Sequence, residues 1–136
     1  MTSCLFCAIL AGDEPGAIVL DEPEAAAFLD VRPLFPGHTL VVPRLHVAAL
    51  QDLPDGLGGT LLATARRIAA ALRTALGAEG AFVALNDVVS QSVPHLHIHV
   101  VPRRKGDGLR GFFWPRTRYD DPEHLERIRA AIAAAL

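Results

Sequence analysis

The stretch Pro94-His95-Leu96-His97-Ile98-His99-Val100-Val101-Pro102 constrains this chain more than any other. Histidine alternating with apolar and β-branched residues predicts a strand, and a strand sends successive side chains to opposite faces. His95, His97 and His99 then share one face. Leu96, Ile98 and Val100 lie on the other, where each contributes about 1.5–3 kcal/mol if it is buried against a core. Two residues of strand separate neighbouring histidine Cα atoms by about 6.6 Å, so one phosphate or one metal ion is within reach of two imidazoles. A single strand histidine is ordinarily a satisfied, half-buried residue. Three in strict alternation are another matter, because stacked imidazoles repel one another when protonated.

A chain of 136 residues suffices for one domain, 1–136, with a real core. A net charge of −2 gives no global attraction to nucleic acid or to an anionic membrane, so any anion site has to be local. Met1-Thr2-Ser3-Cys4 lacks the basic start and apolar core of a signal peptide, and no apolar run approaches about 18 residues. A soluble cytoplasmic protein is expected. The two cysteines both fall within Cys4-Leu5-Phe6-Cys7, which rules out a disulfide framework. This C-x-x-C reads as a redox pair, as half of a tetrahedral zinc site, or as two incidental thiols. A redox pair should follow a strand, and here only three residues precede it.

Ala17-Ile18-Val19-Leu20 and Ala25-Ala26-Ala27-Phe28-Leu29 predict two short strands joined by a polar turn. Asp30 to His38, with two prolines and a glycine, predicts an ordered loop, followed by a strand Thr39-Leu40-Val41-Val42 that Pro43 ends. Leu57, Leu61, Ala65, Ile68, Leu72 and Leu76 recur at helical spacing, predicting a helix over about 56–76 with Asp55 at its N-cap and Gly77 at its end. Arg66, Arg67 and Arg73 fall outside that stripe, on a solvated face. Ala81 to Leu85 predicts a strand that delivers Asn86 into a loop before the histidines. The glycine-containing segment from Arg103 to Arg118 is basic and suits phosphate, a partner surface or plain solvent. Asp121-Pro122-Glu123 starts a C-terminal helix of about 122–135, with Leu125, Ile128 and Ile132 as its core stripe.

Read as His-x-His-x-His followed by apolar residues, the histidine stretch resembles the motif of the histidine triad family of nucleotide hydrolases and transferases. Gln91-Ser92-Val93, Phe28-Leu29-Asp30, Pro36-Gly37-His38 and the run Leu40 to His46 also resemble the family pattern in order and spacing. The opening Cys4 to Ile9 is similar to the bacterial zinc-bearing branch, and the likeness spans residues 4–105. It implies an α+β fold, a five-stranded antiparallel sheet with one long helix and the C-terminal one, pairing two-fold into a homodimer. The implied substrate is a purine nucleotide-type small molecule, a nucleoside phosphoramidate or dinucleoside polyphosphate, attacked at its α-phosphate by the middle histidine. Carried over, the nucleophile is His97, with His99 and His38 as hydrogen-bond donors to the phosphate. Asp30 accepts from the ribose hydroxyls and Phe28 and Val31 line the base pocket, while Asn86, Gln91, Ser92 and Val93 surround the phosphate end. Structural zinc is implied on Cys4, Cys7, His46 and His95, and none is needed for the chemistry.

One departure stands out. Relatives carry a longer, glycine-containing loop before the Gln-Ser-Val, whereas Asn86-Asp87-Val88-Val89-Ser90 is short and has no glycine. Glycine lets a backbone approach a phosphate without steric cost. Two rival functions compete with the hydrolase. One is an enzyme with catalytic zinc on the His-x-His-x-His strand, and the other is a nucleotide-binding regulatory module of low turnover.

Overall fold

In the computed structural model, which describes residues 4–110 and 115–136, five strands form one antiparallel sheet in the order β1-β2-β3-β5-β4. They are β1 (Ile18–Asp21), β2 (Ala25–Leu29), β3 (Thr39–Pro43), β4 (Gly80–Ala84) and β5 (Ile98–Arg103). Three α-helices accompany them, α1 (Leu5–Ala11), α2 (Leu57–Leu76) and α3 (Pro122–Ala135). The expected α+β sheet is present. α1 is additional to the expected helices, and Gly12 closes it in the left-handed conformation at φ 83°.

The two faces of the sheet are covered differently. Leu61, Ala65, Ile68 and Leu72 of α2 pack on Ala25, Ala27, Val41, Leu96 and Val100. On the opposite face Phe6 and Ile9 of α1 pack on Ala26, Phe28, Leu40 and Val42. Alternate residues of β2 thus serve opposite cores, which accounts for its unbroken apolar run. The α2 boundaries fit the helical spacing, but its N-cap is Gly56 at φ 85°, with no capping side chain, instead of Asp55.

Two expectations need correction. The histidine strand joins the ladder only at Ile98, where it pairs with Val41. Pro94 has no N–H to offer a ladder. Leu96 donates instead to the carbonyl of Val47 at 2.7 Å, beyond the end of β3. The predicted core stripe of α3 is uncovered: Leu125, Ile128 and Ile132 are 49%, 39% and 58% exposed, and no described residue of α3 is buried. Its amphipathic period specifies a face without supplying a surface to cover it. The start of α3 is as predicted, with the Asp121 carboxylate accepting from the His124 N–H at 2.7 Å.

The basic segment is partly neutralised from within. Arg103 forks onto Asp107, holding that carboxyl far below the usual carboxylate range, and Arg104 donates to the Leu76 carbonyl. Residues 111–114, including Trp114, lie outside the described residues. Among the described residues no helix is long and apolar enough to cross a membrane.

Candidate functional site

With Leu96 and Val100 buried toward α2, the alternate side chains His95, His97 and His99 are sent to the α1 face of the sheet. The alternation survives although only His99 lies in the ladder, between Leu40 of β3 and Ala84 of β4. His95 and His97 are almost fully buried, at 0% and 3% exposure. A neutral imidazole carries one donor and one acceptor nitrogen, so the partner at one nitrogen assigns the other.

His97 Nδ1 lies 2.7 Å from the backbone oxygen of His95, two residues earlier. A carbonyl can only accept, so Nδ1 carries the proton and Nε2 keeps its lone pair. At His38 the order is reversed: Nδ1 accepts from the Leu34 N–H at 3.1 Å, so Nε2 is the donor. That donor meets His99 Nδ1 at 2.9 Å, which leaves His99 with its proton on Nε2. The rings of His97 and His99 are 5.0 Å apart, centre to centre. A ring with an Nε2 lone pair and a ring with an Nε2–H are therefore neighbours. Burial, then the neighbouring His97 and His38, push His99's proton affinity down to about 4, and burial also lowers that of His38. Both rings are neutral near pH 7.

Beside this pair is a cavity of about 140 Å³ whose walls include Phe6, Ile9, Phe28, Asp30, Val31 and Val93, together with His97 and His99. It is mainly apolar, with Asp30 as its carboxylate. Asp30 accepts from the Arg32 N–H at 2.9 Å through one oxygen, and its other oxygen lies 3.7 Å from His38 Nε2. Ser92 lines the cavity as well. Gln91 and Asn86 are otherwise engaged: Gln91 donates to the Ala48 carbonyl at 2.8 Å and Asn86 to the Ser90 carbonyl at 3.2 Å. The glycine-free loop makes its turn with Val88 and Ser90 at φ 67° and 62°, a region that costs non-glycine residues energy. Sequence reasoning missed the contribution of α1 to the cavity through Leu5, Phe6 and Ile9. The apolar residues flanking C-x-x-C, with Gly12 as a stop, were the available sign.

The third histidine faces elsewhere. His95 Nε2 donates to the Pro43 carbonyl at 2.8 Å, so its Nδ1 is the acceptor nitrogen, and this atom lies 3.5 Å from both Cys4 Sγ and Cys7 Sγ. His46 Nδ1 is 3.5 Å from Cys7 Sγ. A tetrahedral ion about 2.3 Å from sulfur and about 2.0–2.1 Å from nitrogen spaces those ligands roughly 3.5 Å apart. The four residues thus fit a closed Cys2His2 zinc set. Burial and the adjacent Cys4 push the Cys7 thiol up, a shift that a bound dication reverses by deprotonating its ligands. The three strand histidines do not converge on one ion, and the other described cluster, Asp30, His38 and His99, has both nitrogens of His38 already bonded. This geometry speaks against a catalytic zinc on the histidine strand.

Comparison with known proteins matches residues 11–106 to the HIT domain. The chain is 38% identical over 139 residues to Protein hit of Bacillus subtilis, covering 98% of this chain and 94% of that one. It is 30% identical over 134 residues to an adenosine 5'-monophosphoramidase of Saccharomyces cerevisiae, covering 98% and 83% respectively. Among solved structures, a HIT family member from Bacillus subtilis superimposes with a TM-score of 0.87 at 37% identity, covering 99% of this chain and 98% of that one. A Zn-bound histidine triad family protein from Mycobacterium smegmatis gives 0.76 at 40% identity, covering 98% and 95%.

Proposed function

The chain belongs to the HIT domain family, and from that premise we propose that it is a nucleotide hydrolase acting at the α-phosphate of nucleoside phosphoramidates or dinucleoside polyphosphates. The observation that carries this reading is the pairing of opposite tautomers on neighbouring rings, a lone pair on His97 Nε2 and a proton on His99 Nε2, with both histidines in the wall of one cavity. His97 Nε2 attacks the α-phosphorus. The bond to the leaving amine or phosphate breaks, and a nucleotidyl group is left on the ring nitrogen. Water then attacks the same phosphorus, releasing a nucleoside monophosphate and restoring the imidazole.

His99 donates to a phosphate oxygen as charge grows on it, and such a preplaced donor is worth several kcal/mol in a dry site. His38 acts one step back, fixing the tautomer of His99 and receiving its own orientation from the Leu34 N–H. Asp30 takes the ribose hydroxyls, Val31, Phe28, Phe6 and Ile9 enclose the base, and Ser92 and Val93 border the phosphate. Apolar walls around the base give little discrimination between purines. Zinc on Cys4, Cys7, His46 and His95 is structural, tying the N-terminal segment to the histidine stretch, and the S···N distances of 3.5 Å support it.

The test is mass spectrometry of protein quenched during turnover of adenosine phosphoramidate. A single adenylyl adduct on His97 is expected, and His97→Ala should lose the adduct and at least about a thousandfold of the rate while still binding AMP. An adduct on another residue would overturn the assignment of the nucleophile. Absence of turnover in the unmutated protein would favour the regulatory binding module.

A further inference from the structure

We propose that metal binding at Cys4, Cys7, His46 and His95 and nucleoside monophosphate binding in the adjoining cavity strengthen each other, with α1 and His95 as the positioning elements. The inference rests on the nucleotide reading of the cavity and adds its regulation by the metal.

Two physical connections carry it. The first is α1, which has only seven residues. Helices shorter than about 12 residues are marginal on their own, so the position of α1 is set by what it touches. Cys4, its N-cap, and Cys7 lie in the ligand cluster, with the Cys7 N–H directed at Cys4 Sγ at 3.5 Å. Between and just beyond them, Leu5, Phe6 and Ile9 form one wall of the cavity. One turn of helix therefore carries two metal ligands and part of the nucleoside site.

The second connection is His95. Its Nδ1 faces both sulfurs, while its backbone oxygen accepts the proton of His97 Nδ1 and so keeps the opposite nitrogen of His97 free. Phe6 closes the link, its ring edge-on to His95 at 5.9 Å and to His97 at 5.1 Å. An ion drawing the sulfurs and His95 Nδ1 to one centre fixes α1, and with it Phe6 against His97. Without the ion, α1 is held only by the non-directional packing of Phe6 and Ile9 on Ala26, Phe28, Leu40 and Val42, and the cavity wall shifts with the helix. A nucleotide packed on Phe6 and Ile9 restores the same placement from the other side. Linkage makes the two effects equal: the factor by which zinc tightens AMP is the factor by which AMP tightens zinc.

The experiment measures the AMP dissociation constant by calorimetry on full-length protein, chelator-stripped and zinc-loaded. It also measures zinc affinity by chelator competition with and without saturating AMP. Both should change by the same factor, about five- to tenfold. Cys7→Ser should bind AMP as the stripped protein does and should not respond to zinc. Cobalt(II) in place of zinc gives a readout independent of turnover, since AMP should shift the visible bands of the thiolate-bound ion. Equal AMP affinities in stripped and loaded protein, with no cobalt shift, would overturn the linkage and leave the nucleotide reading intact. No AMP binding in either form would overturn that reading itself. If the stripped chain does not stay folded, the competition titration still decides, because it starts from loaded protein: unchanged zinc affinity in AMP refutes the proposal.

Discussion

The α2 face and the α1 face of the sheet are made from the same strands, and β2 gives alternate residues to each, yet they tolerate change in different ways. Under α2 the contacts are apolar and non-directional, and one side chain of similar volume replaces another with little consequence. Under α1, each buried histidine needs a particular atom opposite a particular nitrogen: Pro43 O for His95, His95 O for His97, and the Leu34 N–H for His38. The first face is specified by area and the second by direction. A fault in the first should lower stability broadly. A fault in the second should appear in pH dependence and chemistry.

The largest effect on that contrast should come from Leu61→Ala, which opens a void under α2 at a residue 1% exposed. A loss of about 2–5 kcal/mol is expected in urea denaturation, with adenylyl transfer to His97 unchanged where the protein is folded. Loss of transfer at native temperature would show that the faces are not separable.

Acid should act on the other face. The folded-state proton affinity of His99 is lowered to about 4, and that of His38 is lowered in the same direction, whereas an unfolded histidine titrates near 6.5. Between those values the unfolded chain binds more protons. The contribution of these residues is therefore complete above about pH 6.5 and is lost as pH falls toward about 4. Melting temperatures in chelator from pH 7.5 to 4.5 should fall less steeply in His99→Gln than in the parent, and parallel slopes would refute the assignment. Leu61→Ala should keep the parent's slope.

Relief of the loop is smaller. Val88 at φ 67° is a β-branched residue in left-handed backbone, so Val88→Gly should gain about 1 kcal/mol in denaturant titration. The smallest effect belongs to α3. With Leu125 49% exposed, Leu125→Glu should change stability by under about 0.5 kcal/mol, and a larger loss would mean that its apolar stripe is covered in solution.

These differences also mark what could be read in the sequence. Helical spacing from Leu61 to Leu72 located α2, and strict alternation was enough to put His95, His97 and His99 on one face. The same reasoning overreached at Leu125, Ile128 and Ile132, because periodicity defines a face and is silent about its partner. It extended the histidine strand back to Pro94, whereas pairing with β3 begins at Ile98 and the Leu96 N–H is taken by the Val47 carbonyl beyond the end of β3. It passed over α1, seven residues that gain their place from tertiary packing more than from propensity. The tautomers lay wholly out of reach, since that of His95 depends on a carbonyl 52 positions away.

That carbonyl and its counterpart at His95 have a consequence for mutational history. The groups that orient His95 and His97 are main-chain oxygens, which every amino acid supplies. Drift at position 43 can change a side chain and leave this acceptor in place, and His95 could lose its ring while still aligning its neighbour. The directional half of the molecule is thus inherited with the backbone, and it is exposed less to point substitution than to an insertion or deletion that slips the path of the chain between β3 and β5.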